Sequence, residues 1–528
     1  MKPKILDCHS IVQIKKRCTF AIISHPDSGK TTITEKFLLL GKVIHEAGTI
    51  KSRKSKKYAK SDWMKIEQKR GISVTTSVMK FSYLKRYINL LDTPGHEDFS
   101  EDTYRVLTAV DSCLIIIDAS KSVEKRTKKL MKVARLKKIP VITFINKLDR
   151  NSYDSLKILD DIEKKLKILC VPITWPIGSG KFFKGVFNVY DNTVSLYKKN
   201  LKNFKENISI YDYSYLKKIF SKYEFKKLRE DWELITSCYQ NFNKKNFNKG
   251  IETPVFFGSA LANFGIDHVL NKLVKWAPCP TFKYSSKRKI FSIEKNFSGF
   301  VFKIQANMNP KHHDRIAFIR IVSGKYKEGM KLYHVQNKSI YVVKNAINFL
   351  AGERFIIKEA YPGDIIGIYS KGNIKIGDTF TEGENINFYE IPKFPPELFK
   401  CIYLKDSLQQ KKLLSGLKQL SEEGAVHIFK PFVNNYIILG VIGSLQFDVI
   451  LERLKIEYNV LANYRSTNIS FIRWITCNDL KLLEEFKLKN YSSLAYDSNN
   501  EIVYYSNSLF NLNIIISKYK EICFLKTK

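Results

Sequence analysis

The sequence predicts a multidomain α/β protein: a doubly wound α/β domain, then a β-barrel domain, then an α+β domain. Three observations carry this. Short apolar runs alternate with helical patterns from Thr19 to about Pro280. Strand-like runs with Gly and Pro turns follow from Ser298, and helix and strand patterns mix again after Leu398. At 528 residues the chain exceeds what one core serves, and about three domains are expected. The divisions fall at 1–285 (with a basic insert near 200–250), 290–390 and 395–528.

The runs at 19–23, 88–91, 113–117, 141–145 and 255–257 read as buried parallel strands. A strand covered by helices on both faces is apolar at successive positions rather than at alternate ones. The patterns at 31–40, stopped by Gly41, and at 123–136 read as helices between them. Residues 200–250 are rich in Lys, Asn, Phe and Tyr, with a helical pattern at 215–234 and no nucleotide motif, so they read as a solvated helical insert. Pro278-Cys279-Pro280 and residues 285–289 form a linker. The runs at 299–305, 316–322, 340–343 and 365–368 supply strands of the barrel, punctuated by Ser323-Gly324 and Tyr361-Pro362-Gly363-Asp364. Pro392, Pro395 and Pro396 mark a second linker, and no internal repeat is legible.

Composition narrows the class. Hydrophobic residues make up 44% of the chain, yet no run approaches the ~18 consecutive apolar residues of a membrane span. The run after Lys15, Lys16 and Arg17 is too short for a secretory leader. A cytoplasmic protein without membrane contact is expected. The nine cysteines include no Cys-x-x-Cys pair, which argues against a disulfide framework or a zinc site. The net charge of +38 fits a polyanionic partner such as RNA. It equally fits codon bias, because Lys, Ile, Asn, Phe and Tyr are all encoded by AT-rich codons.

Three motifs stand in fixed order, each after an apolar run. Ser24-His25-Pro26-Asp27-Ser28-Gly29-Lys30-Thr31 links a strand to a helix. Backbone N–H groups in such a loop, with the helix N-terminus, form an anion cradle. Lys30 is expected to reach the β- and γ-phosphates, and the Thr31 hydroxyl to ligate Mg²⁺. Ser24 stands where the general pattern has Gly, and a small residue still fits. Asp92-Thr93-Pro94-Gly95-His96 follows the second run. Asp92 can hold Mg²⁺ through water, Gly95 can bring its N–H close to a γ-phosphate, and His96 can orient an attacking water. Asn146-Lys147-Leu148-Asp149 follows the fourth run. The Asp149 carboxylate can accept from guanine N1 and N2, a pair adenine lacks. Lys147 can lay its stem along the base, and Ser259-Ala260-Leu261 can offer N–H groups to guanine O6.

Together these read as a P-loop GTPase domain using GTP/GDP and Mg²⁺, with Lys30, Gly95 and His96 in the chemistry. Between the first two motifs, Arg70-Gly71-Ile72-Ser73-Val74-Thr75-Thr76-Ser77 reads as a switch. A hydroxyl there would complete the metal shell only while the γ-phosphate is present. Ser73 is the choice, with Thr75 and Thr76 as alternatives. A Lys-rich stretch at 50–60 precedes it. No cis arginine is nominated, so slow intrinsic hydrolysis and an external activator are expected.

Asp92-Thr93-Pro94-Gly95-His96, Arg70-Gly71-Ile72-Ser73 and Asn146-Lys147-Leu148-Asp149 make the chain resemble the translational GTPases. More narrowly it resembles their class II release factor family. That likeness is carried by the stretch from His25 to Lys36, by Ser61-Asp62-Trp63-Met64 and by the stretch from His96 to Arg105. It is carried also by Ile173-Thr174-Trp175-Pro176-Ile177-Gly178, the stretch from Phe300 to Met308, and Leu420-Ser421-Glu422-Glu423-Gly424-Ala425-Val426. The resemblance implies three domains and a ribosome-dependent GTPase activated by rRNA near His96. It also implies that GTP turnover ejects codon-specific peptide chain release factors after peptide release, and a monomeric factor is expected. The alternatives are another ribosome-associated GTPase, like elongation factor G, or a GTP-gated ribosome-binding protein with little hydrolysis. Elongation factor G carries two further domains after its third, and this chain is expected to have no counterpart to them.

Overall fold

The computed structural model describes residues 4–44, 67, 73–197, 205–306, 315–350, 353–370, 372–388, 394–433 and 435–527. The stretches 50–60 and 61–64, the loop residues Arg70-Gly71-Ile72, Asn307-Met308 and Pro392 lie outside the described residues.

A continuous apolar strand needs cover on both faces, and the first sheet has it. Its strand order is Ser77–Tyr83, Arg86–Asp92, Arg17–Ser24, Ser112–Asp118, Val141–Asn146, Glu252–Phe257, Leu169–Pro172. Neighbours pair in parallel, except that Ser77–Tyr83 runs antiparallel to Arg86–Asp92. Arg17–Ser24, Ser112–Asp118, Val141–Asn146 and Glu252–Phe257 are buried at every position. Side chains alternate between two cores: Ile22, Leu114 and Ile116 face one, and Ile23, Ile115 and Ile117 the other. Because the strands are parallel, Ser24, Asp118 and Asn146 end on one rim, and Asp92 with them. Ligands of open α/β sheets bind at such a carboxyl-end rim.

Between Leu169–Pro172 and Glu252–Phe257 the chain makes an excursion. It builds a four-stranded antiparallel sheet from Thr174–Ile177, Gly185–Asn188, Thr193–Tyr197 and Lys205–Ser209. Helices Tyr213–Ile219, Lys222–Cys238 and Lys244–Asn248 follow. The composition of residues 200–250 thus marks only the second part of this unit. The single helical pattern expected at 215–234 is two helices, broken where Ser221 caps the second with a reciprocal Ser221–Glu224 capping box.

The middle region forms an eight-stranded antiparallel sheet in which Ser298–Ala306, buried throughout, pairs with Arg315–Ser323 and Thr379–Thr381. The Tyr361-Pro362-Gly363-Asp364 turn does more than reverse the chain. Asp364 is fully buried and accepts from Arg17 Nε (3.0 Å) and Lys80 Nζ (2.8 Å) of the first domain. Gly363 accepts from Thr19 Oγ1 at 2.7 Å. Gly363 has φ +98°, and a Cβ there would come 2.3 Å from Pro280 Cγ, so glycine is required twice over.

The last region repeats one architecture. Strands and helices from Leu398–Leu404 to Ala462–Ser466 form a βαββαβ unit, and those from Phe471–Thr476 to Cys523–Leu525 form a second. In each, the first strand lies between the third and fourth, and the second lies beside the third. His427–Pro431 pairs with Leu494–Asp497, fusing both units into one eight-stranded sheet. The repeat leaves no sequence signature because packing constrains only which positions are apolar, not which residues fill them. This region docks on the first domain: Asp98 Oδ2 accepts from Leu445 N at 2.7 Å, and Arg105 Nη1 donates to the carbonyls of Glu423 and Gly424 at 3.4 Å. All nine cysteines are free thiols. Among the described residues no helix is long and apolar enough to cross a membrane.

Candidate nucleotide-binding site

The carboxyl rim of the first sheet opens into a cavity of about 520 Å³. The turn from strand Arg17–Ser24 into helix Lys30–Leu40 forms one wall, with Ser24, His25, Pro26, Asp27, Gly29, Lys30 and Thr31 lining it. Gly29 caps the helix at φ +92°, and a Cβ there would come 2.4 Å from Asn146 Nδ2. Its neighbour Ser28 is fully buried behind the wall. Lys30 Nζ pairs with Asp92 Oδ1.

Asp92 and Thr93 are buried at the base of the second wall, where Thr93 Oγ1 donates to the Ile22 carbonyl at 2.7 Å. Gly95 and His96 line the cavity. Pro94 directs its carbonyl away to Arg126 Nη2, 3.0 Å distant. His96 Nδ1 accepts from Asp98 N at 3.2 Å, and its side chain keeps 33% of its surface exposed. Burial pushes the His25 imidazole below its ordinary pKa, with Glu124 facing it at 3.7 Å.

The third wall holds the others together. Asn146 Nδ2 donates to the Ser28 carbonyl (2.7 Å), while its Oδ1 accepts from Lys147 N and Ala260 N (both 2.8 Å). Asn146 therefore ties the third motif to the first. Lys147, at φ +72°, reaches back to Asp118 Oδ2 at 2.7 Å. Burial alone would raise the Asp118 carboxyl, but hydrogen bonds from Lys147 and Ser120 outweigh it and hold the pKa below the ordinary value. Asp149 lines the cavity and accepts from Ser259 Oγ at 2.5 Å, whereas Leu148 and Ser259 are buried behind it. The Ser259 N–H donates to the Phe264 carbonyl and the Ala260 N–H to Asn146, so both are engaged within the protein. Leu261, the third residue of that loop, lines the cavity.

Asp118, Ser120, Lys121 and Arg150 also line the cavity, and motif reading missed them. Asp118 carried a signal: it is a carboxylate at the carboxyl end of a central strand. The donor set suits Mg²⁺, which prefers hard oxygen ligands. Thr31 and Ser73 line the cavity, and Asp92 Oδ2 is buried beside it without a hydrogen-bond partner among the described residues.

A phosphate loop, a carboxylate with a Gly-His pair and an Asn-Lys-x-Asp wall around one cavity define a GTP-binding switch. Residues 15–279 match the elongation factor Tu GTP binding domain, and residues 296–383 match elongation factor G domain 2. Residues 388–516 match the class II release factor RF3, C-terminal domain. The chain is 58% identical to "Peptide chain release factor 3" of Buchnera aphidicola subsp. Schizaphis graminum, over 98% of each chain. It is 57% identical to the protein of that name from Buchnera aphidicola subsp. Acyrthosiphon pisum strain Tuc7, covering 99% of this chain and 100% of that one. A crystal structure from Thermus thermophilus shares the fold at TM-score 0.71 and 20% identity, over 88% of this chain and 69% of that one. The molecule is a translational GTPase with a GTPase domain, an elongation-factor-type β-barrel and an α+β C-terminal region. The chain belongs to the peptide chain release factor 3 family, whose members act in translation termination.

Proposed function

We propose that this chain binds the ribosome, hydrolyses GTP there, and drives codon-specific peptide chain release factors off it once the peptide is released. One observation carries the reading: His96 lines the nucleotide cavity, and Asp98, two residues on, is bonded to the C-terminal region through Leu445 N. A change at the γ-phosphate is thereby felt directly by the region that sets this family apart. The working units are residues 1–285, 290–390 and 395–528, acting as a cytoplasmic monomer.

The chemistry is phosphoryl transfer to water, giving GDP and phosphate, in which positioning and charge neutralisation supply most of the rate. Backbone N–H groups of residues 24–31 cradle the phosphates, and Lys30 neutralises charge on the β- and γ-groups. Gly95 turns its N–H to the γ-phosphate, and His96 orients the attacking water. Mg²⁺, held by Thr31, Ser73 and Asp92, would add positive charge at the β- and γ-oxygens. Asp149 accepts from guanine N1 and N2, and Lys147 covers the base. Because the N–H groups of Ser259 and Ala260 are engaged, Leu261 is the residue of this loop suited to meet guanine O6. rRNA near His96 completes the active arrangement, so the intrinsic rate is expected to be slow.

Purified protein is expected to hydrolyse GTP slowly alone and much faster with ribosomes. It is also expected to speed departure of a labelled release factor from post-termination ribosomes without promoting translocation. A turnover rate indifferent to ribosomes would sink the reading.

A further inference from the structure

We propose that Arg126 is a positioning residue for hydrolysis: it holds the Pro94 carbonyl and so aims the Gly95 N–H at the γ-phosphate. This rests on the role given to Gly95 above.

Arg126 is the second residue of helix Lys125–Leu136 and is 5% exposed. Its Nη2 donates to the Pro94 carbonyl at 3.0 Å. That carbonyl belongs to the same peptide unit as the Gly95 N–H. The described residues contain no cis peptide bond, and a planar trans peptide points its N–H opposite to its C=O. Drawing the oxygen toward Arg126 therefore drives the N–H the other way, and Gly95 lines the nucleotide cavity. On its far side Gly95 rests against Pro26, where a Cβ would stand 3.5 Å from the Pro26 Cα. The only further donor to this carbonyl among the described residues is Thr103 Oγ1, at a longer 3.4 Å.

Among the described residues, Arg126 Nε and Nη1 are buried with no hydrogen-bond partner. A buried cation with two idle donors is costly, and an aliphatic side chain would fill the same space without that cost. Burial pulls its pKa down to about 10 while Tyr104, Glu97 and Asp98 oppose the fall, so it stays charged at neutral pH. The same helix start also meets the phosphate loop, through Glu124 and His25 at 3.7 Å. Arg126 thus stands where the phosphate loop and the γ-phosphate loop are held together, 32 residues beyond the peptide it fixes.

The test compares the full chain carrying Arg126→Met, which keeps an unbranched apolar stem and loses the donors, with Arg126→Lys, which keeps one charged donor. GDP affinity and ribosome-stimulated kcat and KM for GTP are measured for each. Arg126→Met is expected to lower kcat by about tenfold or more, the scale of losing one oriented donor in a transition state, with GDP affinity within about twofold of wild type. Arg126→Lys is expected to recover part of that loss. Unchanged turnover in Arg126→Met would overturn the proposal, as would GDP affinity falling in step with kcat. If Arg126→Met does not fold, Arg126→Gln, too short to hold the carbonyl, is read the same way, and failure of both to fold would assign Arg126 to stability and overturn the proposal. A wild-type protein indifferent to ribosomes would reveal itself before any variant was made, and would bring down the parent reading and this one with it.

Discussion

The two halves of the nucleotide cavity are built on different terms. On the base side each key polar group already has its protein partners. Asn146 makes three hydrogen bonds, Lys147 is paired with Asp118, and Asp149 is held by Ser259. On the phosphate side, several buried polar atoms have no hydrogen-bond partner among the described residues: both ring nitrogens of His25, Ser28 Oγ and Asp92 Oδ2. Native proteins leave few such atoms unsatisfied, and a bound ligand is one of the ways such atoms find partners. On the proposed reading, the base side is a fixed reader and the phosphate side meets the part of the nucleotide that changes on hydrolysis. Affinity for the base and response to the γ-phosphate should therefore separate under mutation.

The sharpest way to break this division is His96→Ala. Ribosome-stimulated hydrolysis is expected to fall about 10²-fold or more, the scale of losing precise placement of the attacking water, while GDP affinity changes little. Equal losses in both would merge the two halves. Next in size is Asn146→Ala, which strands the Ser28 carbonyl and the N–H groups of Lys147 and Ala260. Each unsatisfied buried group costs ~1–3 kcal/mol, so binding of GDP and GTP, measured by titration calorimetry, is expected to weaken together by at least tenfold. A loss confined to GTP would move Asn146 to the other half.

The sequence made the two halves unequally legible. Gly29, Lys30, Asp92 and Asp149 sit in short motifs, where local spacing alone states the chemistry. Asp118 acts through Lys147, 29 residues away, and Asn146 through Ser28, 118 residues away, and no local pattern encodes such a partnership. The apolar strands at 113–117 and 141–145 could be read because full burial demands unbroken apolar runs. Ser77–Tyr83 was missed because it mixes buried, half-buried and exposed positions at the sheet edge. The turn at 361–364 was legible as a turn, but its plugging of Asp364 between Arg17 and Lys80 is a tertiary fact.

Asp149→Asn tests the reader itself. An amide can donate to the second carbonyl of xanthine but no longer accepts twice from guanine, so preference is expected to shift toward xanthine nucleotides by roughly tenfold or more. Unchanged base preference in competition binding would remove Asp149 from the base contact and leave the fixed half without its reader.

The smallest expected effect separates the halves by pH. The His25 pKa is lowered by burial, so the folded state resists its protonation; stability from this group is complete above its unfolded value near ~6.5 and is lost as pH falls through the lowered folded value. The Asp118 pKa is also lowered, but its unfolded value is near ~3.9, so its contribution is complete above that and lost only in stronger acid. Between about pH 6.5 and 5 the phosphate side should therefore weaken while the base side holds. Unfolding midpoints measured over this range should fall less steeply in His25→Gln than in wild type, because one buried group no longer has to charge. Asp118→Asn should keep a constant offset from wild type above about pH 5, and the gap should close below about pH 4. An Asp118→Asn offset that already changed between pH 6.5 and 5 would mean that the base side titrates with the phosphate side, and that the two halves respond as one.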